Sequence, residues 1–138
     1  MTKEKILVVD DEEDMAKALE ARLRANGYNV LCTSDSIQAC TIANKENPDL
    51  ILLDIFMPGG DGFVVAERLK QSAATHRIPI IFLTGIPGEE GRAYKLGACA
   101  YVMKPYQPEE LMKTIHKALE TGRRRSGETV AETIGVTS

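Results

Sequence analysis

The chain has 138 residues, 43% of them hydrophobic and 27% charged, with a formal net charge of -3, a balance that suits one water-soluble core. Its apolar runs reach only about five residues, far below the ~18 that a membrane-spanning helix needs, and MTKEK leads into a strand-like run rather than a signal-peptide core, so a cytoplasmic protein without membrane contact is expected. The net charge argues against a general nucleic-acid surface, which requires clustered Lys and Arg; the basic cluster Arg123 to Arg125 falls late in the chain.

Taken in chain order, Ile6 to Val9 opens an apolar run, and Met15, Leu19 and Leu23 follow at helical spacing until Gly27 stops the helix. Tyr28 to Cys32 reads as a strand, and the helix after it ends at Asn47-Pro48. Leu50 to Leu53 and Ile80 to Leu83 are further apolar runs, and Ala100 to Met103 is a weaker one. Pro108 suits the first turn of a last helix, whose stripe is Leu111, Ile115 and Leu119. None of the strands alternates cleanly, as expected where both faces of a parallel sheet are covered. Five strand and helix pairs predict a doubly wound α/β fold, a flavodoxin-like three-layer sandwich with strand order 2-1-3-4-5, in residues 1–120. Residues 121–138, rich in Gly, Ser, Thr, Arg and Glu, read as a flexible tail or linker stub. Cys32, Cys40 and Cys99 lack metal-ligand spacing and are expected to be buried reduced thiols.

A doubly wound sheet works at the carboxyl ends of its strands. Asp10 and Asp11 follow the first strand and Asp54 the third. With those strands adjacent, three carboxylates converge, and a hard cation with oxygen ligands relieves the repulsion; Mg²⁺ fits best because it takes few carboxylates and completes its shell with water and phosphate oxygens. Thr84 and Lys104 close the next two strands. A carboxylate nucleophile, a metal site, a hydroxyl and an ammonium together make a phosphoryl-transfer site. Singly, each has a plainer explanation: Asp11 to Asp14 as a helix cap, Thr84 as a strand residue, Tyr101 and Phe56 as packing, Lys104 as a solvated charge, Gly59 to Gly62 as a turn. His76 and His116 lie away from the strand ends and are expected at the surface.

Val8-Val9-Asp10-Asp11, Leu52-Leu53-Asp54-Ile55-Phe56-Met57-Pro58, Gly59-Gly60-Asp61-Gly62, Phe82-Leu83-Thr84, and Leu96-Gly97-Ala98 before Lys104-Pro105 resemble the signature of response-regulator receiver domains in order and spacing, over about residues 4–120. The resemblance implies that Asp54 accepts a phosphoryl group from a histidine kinase or phosphotransfer protein, making the chain a signalling switch rather than a turnover enzyme. It implies Mg²⁺, with Mn²⁺ as a substitute, bound by Asp11, Asp54 and the Phe56 carbonyl, with Asp10 acting through water. It implies that Lys104 contacts the phosphoryl group, that Thr84 and Tyr101 switch the surface around the fourth helix, fifth strand and fifth helix, and that Lys104-Pro105 is cis. A dehalogenase-like phosphatase is disfavoured because Asp10-Asp11 lacks the Asp-x-Asp spacing of that class.

The sequence departs from the receiver pattern in two places. Phe56 stands where receivers tune self-dephosphorylation, and its bulk is expected to shield phospho-Asp54 from water. The span from Thr84 to Gly97 is about two residues short and carries Pro87, Gly88 and Gly91, so the fourth helix is expected to be short, displaced or mobile, and the protein a monomer or weak dimer. Output is expected from a partner protein or a fused effector domain, because the residues after 120 are too few for a DNA-binding module.

Overall fold

The apolar runs become the central strands. A computed structural model describes residues 3–57 and 60–125, and its element order is β1 (Lys5–Val9), α1 (Glu13–Ala25), β2 (Asn29–Thr33), α2 (Ser36–Glu46), β3 (Leu50–Leu53), β4 (Phe56–Met57), β5 (Gly60–Asp61), α3 (Gly62–Gln71), β6 (Ile80–Thr84), α4 (Glu90–Lys95), β7 (Ala100–Met103) and α5 (Pro108–Arg125). The main sheet is parallel with order β2-β1-β3-β6-β7, which is 2-1-3-4-5 when only its own five strands are counted. β4 and β5 form a separate antiparallel pair, Phe56 opposite Asp61 and Met57 opposite Gly60; the sequence reading had only a turn here.

Alternation along each strand divides the core in two. Leu7, Val9, Ile51, Leu53, Ile80 and Phe82 face α2, α3 and α4 through Ala39, Phe63, Leu69 and Ala93. Ile6, Val8, Leu50, Leu52, Ile81 and Leu83 face α1 and α5 through Leu19, Leu23, Leu111 and Ile115. The fully buried β3 leaves no polar face, which is why its sequence is LILL.

Local chemistry sets the helix ends. The Asp35 carboxylate caps α2 by accepting from the amides of Ile37 at 2.7 Å and Gln38 at 3.2 Å, and Asn47 ends that helix at φ 47°. Gly27, at φ 91°, follows α1 as its Schellman-type stop. Helix α4 is six residues long, as Gly88 and Gly91 predicted. It is held by buried Ala93 and by Arg92, whose guanidinium lies 4.2 Å above the Phe63 ring.

Two expectations change. Helix α5 runs through 121–125, so the boundary placed after residue 120 falls inside it; residues 126–138 of the expected tail lie outside the described residues. No disulfide joins the cysteines, but they are not buried: Cys32 and Cys99 are exposed and Cys40 is intermediate. Cys32 lies in β2, an edge strand of the sheet, and Cys99 immediately before β7, the other edge strand, where apolar sequence neighbours do not ensure cover.

Candidate functional site

Parallel register delivers four side chains to one rim. Asp10 follows β1, Asp54 follows β3, Thr84 ends β6 and Lys104 follows β7. Backbone bonds continue the sheet past the strand ends, from Asp10 N–H to the Thr33 carbonyl at 3.1 Å, Asp54 N–H to the Val9 carbonyl at 3.0 Å and Lys104 N–H to the Thr84 carbonyl at 2.8 Å. The site therefore stands on rigid strands while its charges sit at their tips.

The Lys104 ammonium binds three carboxylates at once: Asp10 Oδ2 at 2.7 Å, Asp54 Oδ2 at 3.1 Å and Glu12 Oε1 at 3.1 Å. The Lys104, Asp10 and Asp54 side chains are 8%, 6% and 8% exposed, whereas Glu12 is 57% exposed. Each buried carboxylate has its other oxygen occupied, Asp10 Oδ1 by the Glu12 amide at 2.9 Å and Asp54 Oδ1 by the Ile55 amide at 2.7 Å. Burial raises the Asp10 carboxyl above its ordinary range, although Lys104 and the Glu12 amide pull it down. Burial works the other way on Lys104, but hydrogen bonds and charge from Asp10, then Asp54, hold it above the usual lysine value.

Thr84 is fully buried, and its Oγ1 accepts from the Ile86 amide at 3.3 Å. The Tyr101 hydroxyl donates to the carbonyl of that same Ile86, so both side chains grip one peptide stretch of the β6–α4 loop. Burial, then the charges of Glu90 and Glu89, raises the Tyr101 phenol. The Lys104-Pro105 bond is cis. Phe56 is 70% exposed, standing on the rim instead of in the core.

One carboxylate oxygen from each of Asp10, Glu12 and Asp54 lies within 4.8 Å of the others. That all-oxygen, anionic set fits a hard divalent ion such as Mg²⁺. Asp11 is exposed and outside this close group. Glu12 was missed because it read as part of a helix cap; it is the N-cap of α1 yet makes no side-chain cap bond. Gly62, read only as part of a turn and of the receiver signature, has a further role: a Cβ there would stand 2.1 Å from the Asp54 carbonyl oxygen, a contact that spacing along the chain does not reveal. His76 and His116 are at the surface, His116 with Nδ1 2.8 Å from the Tyr28 hydroxyl.

Residues 6–116 match the model of the response regulator receiver domain. The chain belongs to that family. As a receiver, it is 40% identical over 121 residues to a protein named probable transcriptional regulator ycf27 from Porphyridium aerugineum, covering 86% of this chain and 49% of that one. It resembles the receiver domain of sensor histidine kinase PA1611 from Pseudomonas aeruginosa, solved with a magnesium ion coordinated in its active-site cleft, at 30% identity and TM-score 0.79 over 86% and 99% of the two chains. A CheY-like receiver from Methanospirillum hungatei aligns at 25% identity and TM-score 0.84 over 90% and 99%. The chain spans about half the length of the curated relatives it matches. Among the described residues no helix is long and apolar enough to cross a membrane.

Proposed function

We propose that this receiver is the phospho-acceptor of a two-component relay, with Asp54 as the modified residue. The observation that carries the reading is the Lys104 ammonium lying between Asp10 and Asp54 at 2.7 and 3.1 Å, with all three side chains at most 8% exposed, a preformed place for added negative charge. An Asp54 carboxylate oxygen attacks the phosphorus of a phosphohistidine on a histidine kinase or phosphotransfer protein. The O–P bond forms as the N–P bond breaks, and its electron pair returns to the departing imidazole. Asp10, Asp11, Asp54 and the Phe56 carbonyl are the proposed holders of Mg²⁺, with Mn²⁺ as a substitute. The ion supplies charge neutralisation for the phosphoryl oxygens. Lys104 orients a second oxygen, and the strand-borne carboxylates keep that geometry without reorganisation.

Thr84 then serves as the sensor. Drawn toward the phosphoryl group, its hydroxyl leaves the Ile86 amide, and Tyr101, fixed to the Ile86 carbonyl, reports the movement to α4, β7 and α5. That surface controls a partner protein or a fused effector domain. The receiver itself acts in the cytoplasm as a monomer or weak dimer, without touching nucleic acid. Incubation with acetyl phosphate and Mg²⁺ tests the assignment: stoichiometric, acid-labile labelling that disappears in Asp54→Asn is expected. Rapid multiple turnover would identify a hydrolase instead, and absence of label a scaffold that works unmodified.

A further inference from the structure

An ammonium has three N–H donors, and Lys104 spends all three on carboxylates, those of Asp10, Glu12 and Asp54. A phosphoryl oxygen therefore reaches Lys104 only when one partner lets go. The three differ sharply in what release costs. Asp10 makes the shortest contact, 2.7 Å, and is 6% exposed; leaving would strand a buried charge. Asp54 carries the incoming group and is pinned through Oδ1 to the Ile55 amide at 2.7 Å. Glu12 is 57% exposed, so water takes over its carboxylate at little loss. Its backbone stays in place meanwhile, because the amide remains bound to Asp10 Oδ1 at 2.9 Å.

We infer that the Glu12 carboxylate is a placeholder on Lys104, occupying in the resting protein the position that a phosphoryl oxygen takes after transfer. Glu12 is thus a positioning residue for the acceptor reaction. It keeps Lys104 extended toward the pocket while the pocket waits, and it opposes premature occupation by anions. The inference rests on the acceptor reading of Asp54.

The test uses beryllofluoride, a phosphoryl mimic, titrated into the ¹⁵N-labelled full chain at saturating Mg²⁺, with the fraction bound read from resolved amide peaks. Loss of an exposed ion pair predicts that Glu12→Gln half-saturates at about two- to five-fold lower beryllofluoride than the wild type. Glu12→Asp, a methylene shorter, should shift in the same direction. Glu13→Gln makes the same change in net charge beside the site and should match the wild type. Equal or weaker binding by Glu12→Gln, or an equal gain in Glu13→Gln, overturns the placeholder role. A wild type that shows no saturable change overturns the acceptor reading, and the inference with it.

Discussion

Gly62 presses its backbone against Asp54: a Cβ at position 62 would lie 2.1 Å from the Asp54 carbonyl oxygen and 3.0 Å from its carbonyl carbon. The Gly62 amide also donates to the next carbonyl, that of Ile55, at 2.6 Å. The start of α3 is thereby fastened to the peptide that carries Asp54, and any side chain there must push the two apart.

Alanine at position 62 should consequently destabilise the protein by about 1–3 kcal/mol despite its better helix propensity, because backbone rather than a flexible side chain must yield. Urea unfolding measures the loss, and acetyl phosphate labelling of Asp54 should slow in parallel. An unchanged midpoint would show that the helix start relaxes without strain.

Removing the ammonium should produce a pH-dependent defect. In the folded protein the Asp10 carboxyl sits above its ordinary value of 3.8. The native state thus holds that proton more firmly than the unfolded chain, and this contribution to stability is lost as pH rises through the raised value. Lys104→Gln deletes the ammonium, the larger of the two groups that pull Asp10 down, leaving only the Glu12 amide, and so deepens the loss. The variant should be about 3 kcal/mol less stable than wild type at pH 7.5 and closer to it at pH 4.5. Lys104 itself contributes no slope in that window, since its raised value keeps it charged until the pH exceeds 10.5. A gap that widens toward acid would contradict the assignment.

Magnesium should raise the unfolding midpoint, since an ion at ten times its Kd adds about 1.4 kcal/mol when it binds only the native state. Asp54→Asn should abolish most of the shift. Asp11 is the discriminating case, being an expected direct ligand that stands outside the close carboxylate group. Asp11→Asn should also reduce the shift; a full shift in that variant would remove Asp11 from the ligand set.

Phe56, 70% exposed on the rim, should lengthen the life of phospho-Asp54 by covering the approach of water. Phe56→Asn and Phe56→Lys are expected to lose label several-fold faster in a chase experiment. Identical decay in all three proteins would assign the lifetime to other residues.

The sequence located Asp10, Asp54, Thr84 and Lys104 because each ends an apolar run, and parallel register carries run ends to one edge. It did not separate Asp11 from Glu12, since which carboxylate turns inward depends on the bend after β1, closed by the Glu12 amide on Asp10 Oδ1. The close approach at Gly62 was illegible for a similar reason: it is to a carbonyl eight positions earlier, brought close by the β4–β5 pair. Composition also placed the end of α5 too early. The Gly, Ser, Thr, Arg and Glu content of residues 121–138 read as a tail, yet the helix continues past Gly122, where a Cβ would make an ordinary contact with the Pro79 ring at 3.5 Å.

Helix α5 begins four residues after Lys104 and continues through Arg125, about 27 Å of rod at 1.5 Å per residue. Leu111, Ile115 and Leu119 bed its first three turns in the core, and the turn that follows carries Gly122 past the Pro79 ring. A tilt of about five degrees at the root would swing the far end by roughly 2 Å. With its root four residues from Lys104, a rod of that length would turn a small change of angle there into a displacement many times larger at its far end.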